Sequence, residues 1–227
     1  MRIDFHTHTV FSDGALLPSE LLRRAAVMGH GALGITDHAD ASNLEDLIGS
    51  LRRIREEQPD DFALDMLIGL ELTHVAPASI AKLAQRAKAL GADLVLVHGE
   101  TIVEPVVRHT NRAAIEAPDV DLLAHPGLLT TEEARLAAER GCAIELTSRR
   151  GHCLTNGHVA RVCIEAGAQM VVNTDAHVPS DLIDLAFAQQ VAAAAGLGED
   201  QVRAVTITNP RALLERIRMA SSREYDV

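Results

Sequence analysis

The sequence has almost no aromatic residues: four Phe, one Tyr and no Trp in 227 positions. A core must therefore be built from Ala, Val, Leu and Ile, and little is left for a platform on which nucleic-acid bases stack. Cysteine is scarce too. Cys142, Cys153 and Cys163 are odd in number and no CxxC occurs, which speaks against a disulfide framework and a Cys-rich zinc finger. Each is expected to be a buried or half-buried thiol in a reducing compartment. Positive charge is in deficit, with 21 Lys and Arg against 32 Asp and Glu, so the formal net charge is -11. Such a chain repels DNA and RNA in general, and no long nucleic acid is expected as a partner. No apolar run is long enough to span a bilayer, and MRIDFHTHT has no basic stretch leading into a long apolar one. The expectation is a cytoplasmic protein without membrane contact. What is abundant is aliphatic: hydrophobic residues make up 47% of the chain, too much for a disordered one.

Those residues gather in seven short runs with strand character: Arg2–Phe5, Ala32–Thr36, Met66–Leu70, Asp93–Val97, Val120–Ala124, Cys142–Leu146 and Gln169–Asn173. Segments with helical spacing lie between them, at Pro18–Met28, Ser79–Leu90, Thr131–Arg140 and Asn156–Ala166. Gly29, Gly91, Gly141 and Gly167 follow these four, where a left-handed terminal residue is wanted. Repeated strand-then-helix units argue for a parallel sheet covered by helices, either closed into a barrel or open and doubly wound. Residues 1–220 read as one domain. Thr208-Asn209-Pro210 opens a last helix over Arg211–Arg218, and residues 221–227 form a polar tail.

Histidines and carboxylates cluster where the strands end. Run one ends in His6-Thr7-His8, run two in Thr36-Asp37-His38, run three in Glu71, run four in His98, run five in His125 and run seven in Asp175-Ala176-His177. Run six leads instead into Thr147-Ser148-Arg149-Arg150. The carboxyl ends of the strands are where parallel α/β barrels carry their active sites. Residues two apart share a face of a strand, so His6 and His8 point together, as Asp4 does, while Ile3 and Phe5 point toward covering helices. Imidazoles with carboxylates suit zinc, manganese or iron. A lone His98 or His125 would be an ordinary loop residue; six strand ends out of seven are not chance.

His6-Thr7-His8 with Ser12-Asp13, Ile35-Thr36-Asp37-His38, Gly69-Leu70-Glu71, Val97-His98, Ala124-His125-Pro126 and Asn173-Thr174-Asp175-Ala176-His177 resemble the successive motifs of the polymerase-and-histidinol-phosphatase (PHP) family. HxH alone is weak, since amidohydrolases also begin with it; the ordered set is specific. The resemblance implies a distorted seven-stranded (β/α)7 barrel, TIM-like, binding three divalent metal ions. It implies His6, His8, Glu71 and Asp175 on the first, Glu71, His98 and His125 on the second, and Asp13, His38 and His177 on the third. Some family members have a histidine where Asp13 stands, so this third site should be harder and more tolerant of manganese or iron.

Three divalent ions bring six positive charges; Asp13, Glu71, Asp175 and a bridging hydroxide leave about two, which explains how an acidic chain holds a phosphate. Bound water can fall to a pKa of ~7, so attack on phosphorus by metal-bound hydroxide is expected, with Glu71, Asp175 and His177 as the catalytic residues. No covalent nucleophile is needed. Arg149 and Arg150 are candidate phosphate clamps, since guanidinium matches phosphate oxygens bidentately. His74 and His152, on loops at the same end, are candidate proton donors in the substrate site. Asp4 either orients a ligand histidine or is an interior carboxylate with a partner. His30 is structural; His109 and His158 are surface helix residues. The expected substrate is a small phosphate monoester, histidinol-phosphate-like or a nucleotide, selected by loops Ala39–Asn43, His74–Ala78, Gly99–Glu104 and Arg149–Thr155. The alternatives are a non-catalytic metal-binding scaffold and an amidohydrolase-type deaminase. Against the latter, the nearest lysines to strand four, Lys82 and Lys88, sit on the preceding helix.

Overall fold

A computed structural model describes residues 1–57 and 63–224, with side chains as far as residue 220. Seven parallel strands form a nearly closed, distorted barrel in the order β1-β2-β4-β5-β6-β7-β8. They are β1 (Arg2–Asp4), β2 (His30–Ile35), β4 (Asp65–Leu72), β5 (Leu94–His98), β6 (Leu122–Ala124), β7 (Ala143–Thr147) and β8 (Met170–Asn173). A two-residue strand β3 (His38–Ala39) pairs with the end of β4 through His38 and Glu71. Each of the seven runs read from the sequence is one of these strands.

The aliphatic residues divide between two cores. One lies inside the barrel: Ile3, Phe5, Ala32, Leu67, Leu94, Leu96, Leu122, Ala143 and Val171 come from all seven strands. Leu213, Leu214 and Ile217 of the last helix, α9 (Asn209–Glu224), join this cluster and close one end of the barrel. Fully burying such a side chain stabilises by about 1.5–3 kcal/mol. The other core lies outside, where alternate residues such as Leu33, Ile68, Val95, Ile144 and Val172 meet the helices. Ile3 and Phe5 therefore face the barrel interior, not the covering helices. His6 and His8 also turn inward, because β1 ends at Asp4 and alternation breaks beyond it.

The barrel closes with side chains where a ladder is missing. Between β8 and β1 the described residues show a single bridge, Thr7 to Ala176. Arg2 donates to Val172 O at 2.7 Å, Phe5 N donates to Asn173 Oδ1 at 3.0 Å, and Thr174 N donates to Asp4 Oδ1 at 3.2 Å. Arg2 and Asp4, both fully buried, pair at 3.2 Å. Asp4 thus laces the seam, touching the backbone N of His6 at 3.3 Å but not its ring.

The helices are α1 (Pro18–Val27), α2 (Leu44–Glu57), α3 (Pro77–Ala89), α4 (Thr110–Glu116), α5 (Thr131–Arg140), α6 (Asn156–Ala166), α7 (Leu185–Ala194), α8 (Glu199–Arg203) and α9. α1 and α3 begin on a proline, and α5 has a reciprocal cap between Thr130 and Glu133. Gly141 and Gly167 end α5 and α6 at a φ of 72°, as the sequence predicts. α2, α4, α7 and α8 add to the helices singled out from the spacing. α9 is longer than predicted: its backbone stays helical to Glu224, so the first four residues of the expected tail are helix, and 225–227 lie outside the described residues. Among the described residues no helix is long and apolar enough to cross a membrane.

Candidate metal centre

The barrel mouth gathers the side chains that the strand ends deliver. Asp37 is buried and shapes the loop after β1: it accepts from Thr9 N at 2.7 Å, Thr9 Oγ1 at 2.7 Å and Ser12 Oγ at 2.6 Å. That folds Asp13 back over His38 and His177. Glu71 and His98 stand on the inward-facing register of β4 and β5. His125 and Asp175 follow β6 and β8 at φ values of 25° and 53°. Non-glycine residues pay for such angles, and the strain here is what turns both side chains into the mouth.

Four neighbouring groups result. His6 Nε2 lies 3.4 Å from Glu71 Oε1 and 3.7 Å from Asp175 Oδ1, and His8 Nε2 lies 3.2 Å from Asp175 Oδ1. His125 Nε2 is 3.4 Å from Glu71 Oε1, which places Glu71 with His6 and His125. Asp13 Oδ1 is 3.1 Å from His177 Nε2 and 3.4 Å from His38 Nε2, and His8 joins this group. His98 gathers with His125 and His152. All nine residues of the expected ligand set are thus at one mouth, with a different partition: Glu71 is nearer His6, His38 and His125 than His98, and His152 stands beside His98.

The donor chemistry fits cations. His6 Nε2, both ring nitrogens of His8, Glu71 Oε1 and His125 Nδ1 are buried with no hydrogen-bond partner among the described residues. A buried polar atom without a partner is costly, and here the atoms converge on shared spaces. Imidazole nitrogens mixed with carboxylate oxygens match divalent transition metals.

Burial and charge oppose each other throughout. Burial pushes the His6 imidazole down, but Glu145, Asp175 and Glu71 outweigh it and raise it well above the usual histidine range. Burial likewise lowers His38, yet Asp13 and Glu71 raise it to about 10. Burial would raise Asp175, but His6, His8 and His125 hold it far below the ordinary carboxylate value. At His98 burial dominates and brings it down to about 4.

Three acidic residues that the strand-end pattern did not single out support the mouth. Glu145, fully buried in β7, accepts from His6 Nδ1 at 2.9 Å, from His125 N at 2.9 Å and from Asn173 Nδ2 at 2.9 Å. Glu104 lies 3.1 Å from His98, 3.2 Å from His74 and 3.4 Å from His152. Asp181 accepts from His177 N at 3.0 Å and binds Arg149 at 2.9 Å. Arg149 is thereby committed to an ion pair, whereas Arg150 is exposed. Both line a cavity of about 450 Å³ with Ser148, Asp181, Ile183 and Phe187. His74 and His152 do reach the mouth. His30 is buried at the opposite end, donating to Ala25 O. His109 precedes α4 in a left-handed conformation, and His158 is half-buried, donating to Leu129 O.

A family model described as PHP domain matches residues 4–170. The chain is 50% identical over 220 residues to an uncharacterized protein of Methanocaldococcus jannaschii, covering 96% of this chain and all of that one. It is 29% identical over 168 residues to the 5'-3' exoribonuclease Rnm of Escherichia coli, covering 72% of this chain and 48% of that one. It is 27% identical over 237 residues to ribonuclease P protein component 3 of Methanosarcina mazei, covering 95% and 89%. In fold it matches a chain of an archaeal ribonuclease P structure with a TM-score of 0.63 at 17% identity, covering 97% and 90%. Strand-end motifs, barrel and family match agree: the chain belongs to the PHP-domain family.

Proposed function

We propose that this protein is a metal-dependent phosphoesterase that hydrolyses a small phosphate monoester, histidinol-phosphate-like or a nucleotide. The family and its named relatives make it a hydrolase of the metal-dependent kind. One observation carries the reading further: buried, partnerless imidazole and carboxylate atoms of His6, His8, Glu71 and His125 converge at one mouth. Asp13, His38, His98, Asp175 and His177 complete a set for up to three divalent ions, zinc, manganese or iron. When bound, such ions supply positive charge against phosphoryl oxygens and acidify water near neutral pH.

The chain's own residues do the rest. Glu71 and Asp175 each lie between two groups and fix their spacing; His177 holds Asp13 in place. Arg150 is free to grip phosphate from the cavity beside the mouth, and Arg149, through Asp181, positions the His177 backbone. His74 and His152 both reach Glu104, a route by which a proton is delivered to the leaving oxygen. The interior core beneath keeps bulk water out from below.

The likeness to a ribonuclease P component favours a second reading, a metal-binding scaffold that does not cleave. The complete ligand set weighs against it, because a scaffold has no need of partnerless buried donors. A deaminase of the amidohydrolase type lacks its lysine: Lys82 and Lys88 are the only two in the chain, both lie on α3, and Lys88 pairs with Asp121. Phosphate release from a panel of nucleotide, sugar and amino-alcohol phosphates, with manganese, zinc or iron added, tests the proposal. Turnover that drops at least about 100-fold in Glu71→Gln supports it. No cleavage of any ester by the metal-replete protein supports the scaffold.

A further inference from the structure

One further group of possible ligands, which shares His98 with the nine, lies at the outer lip: His74, His98 and Glu104. They come from successive strand-to-helix segments, His74 beyond β4, His98 at the end of β5, and Glu104 in the loop that follows. Glu104 Oε2 stands 3.2 Å from His74 Nε2 and 3.1 Å from His98 Nε2. The base of the Glu104 loop is fixed. Asn111 Oδ1 accepts from Glu100 N at 2.9 Å, Asn111 N donates to Glu100 Oε1 at 3.0 Å, and Thr101 Oγ1 bonds His152 Nδ1 at 2.7 Å.

An ion pair does not account for this arrangement. His74 is held at a φ of 53°, a left-handed conformation that is costly for a non-glycine residue. A half-exposed histidine–glutamate contact is weak and does not offset that cost. Two imidazoles and a carboxylate gathered together are, in contrast, a mixed set of borderline nitrogen and hard oxygen ligands for a divalent cation. Side-chain exposure also falls in order, from 42% at His74 and 37% at Glu104 to 4% at His98. The group is a path from solvent inward.

His98 imposes a constraint. Its Nδ1 donates to Gly99 O at 3.1 Å, so Nε2 is its one atom free to bind a cation. An ion held with His74 and Glu104 therefore excludes one held by His98 with His125 and His152. We propose that His74, His98 and Glu104 form an outer binding position for a divalent cation such as zinc, which receives the ion from solvent and passes it through His98 to the inner position. The inference rests on metal binding by the mouth, but not on phosphoester hydrolysis.

Cobalt(II) uptake by the metal-free full-length protein, followed by stopped-flow absorbance, reads this directly. Glu104→Gln and His74→Ala should each slow uptake about tenfold, the lower end of what losing one supporting group does at a metal site. The number of ions held at saturation should equal that of the wild type. Glu20→Gln, on an exposed turn of α1, should load as the wild type does. Unchanged uptake in both mouth variants would overturn the outer position, and one ion fewer at saturation would overturn the exclusivity. A wild type that loads as described yet cleaves no phosphate ester removes the phosphoesterase reading alone. A cleaving protein whose variants load normally removes this one alone.

Discussion

Glu145 touches three parts of the mouth at once: the His6 ring, the His125 backbone and the Asn173 amide. It fixes the His6 tautomer, leaving Nε2 to face Glu71 and Asp175. Glu145→Gln should therefore weaken cation binding about 10- to 100-fold in a chelator competition. In the metal-free protein it should also lower the His6 pKa, seen in an NMR histidine titration, because Glu145 raises it. His38 gives the sign of the pH dependence. Its pKa in the folded chain is raised to about 10, above an unfolded value of about 6.5. Its contribution to metal-free stability is fully present below about pH 6.5 and is lost as pH rises through about 10. Asp13 and Asp175, held low, contribute above about pH 4 and lose that contribution as the solution is acidified. Urea unfolding of the metal-free protein should thus show a fall on both sides of neutrality. A midpoint that neither falls as the pH drops below about 4 nor falls as it rises toward about 10 would contradict these assignments.

At the scale of elements, the seam and the mouth explain what the sequence disclosed. Strand ends were legible because a ligand-type residue directly follows an aliphatic run, as at Val97-His98 and Ala124-His125. Glu145 was hidden inside such a run, between Ile144 and Leu146; the signal was its inward register with Ala143 and Thr147. Glu104 lies in a loop and Asp181 in a three-residue 3-10 turn, Pro179–Asp181, where no period marks a residue. Alternation carries Ile3 and Phe5 inward together and fails at His6, because β1 stops at Asp4. α2 was legible in principle: Leu44, Leu47, Ile48 and Leu51 are all buried and spaced for one helical face. The seam between β8 and β1 depends on the buried Arg2–Asp4 pair, which no periodicity encodes. Asp4→Ala leaves the Arg2 guanidinium buried without its carboxylate and should cost about 3–5 kcal/mol in urea unfolding. Removing the exposed Glu20–Arg24 pair should cost less than about 0.5 kcal/mol. Equal costs would mean that the seam is not a structural joint.

Over the whole molecule, the barrel is plugged by α9 at one end and lined with titratable side chains at the other. Without cations, the mouth crowds His6, His8, His38, His98, His125, His152 and His177, with ring centroids as close as 4.1 Å, around a few carboxylates. Cation binding relieves that crowding and should raise the melting temperature, since a ligand that binds only the folded state stabilises it. The reading that carries most weight is that these side chains share cations at a single site. Anomalous diffraction from crystals of the manganese- or zinc-loaded protein measures this most directly. The account predicts strong peaks within coordination distance of the His6–His8–Asp175 and Asp13–His38–His177 groups, and near His98. A loaded crystal with no anomalous peak at the mouth, or with peaks on surface residues alone, would contradict it.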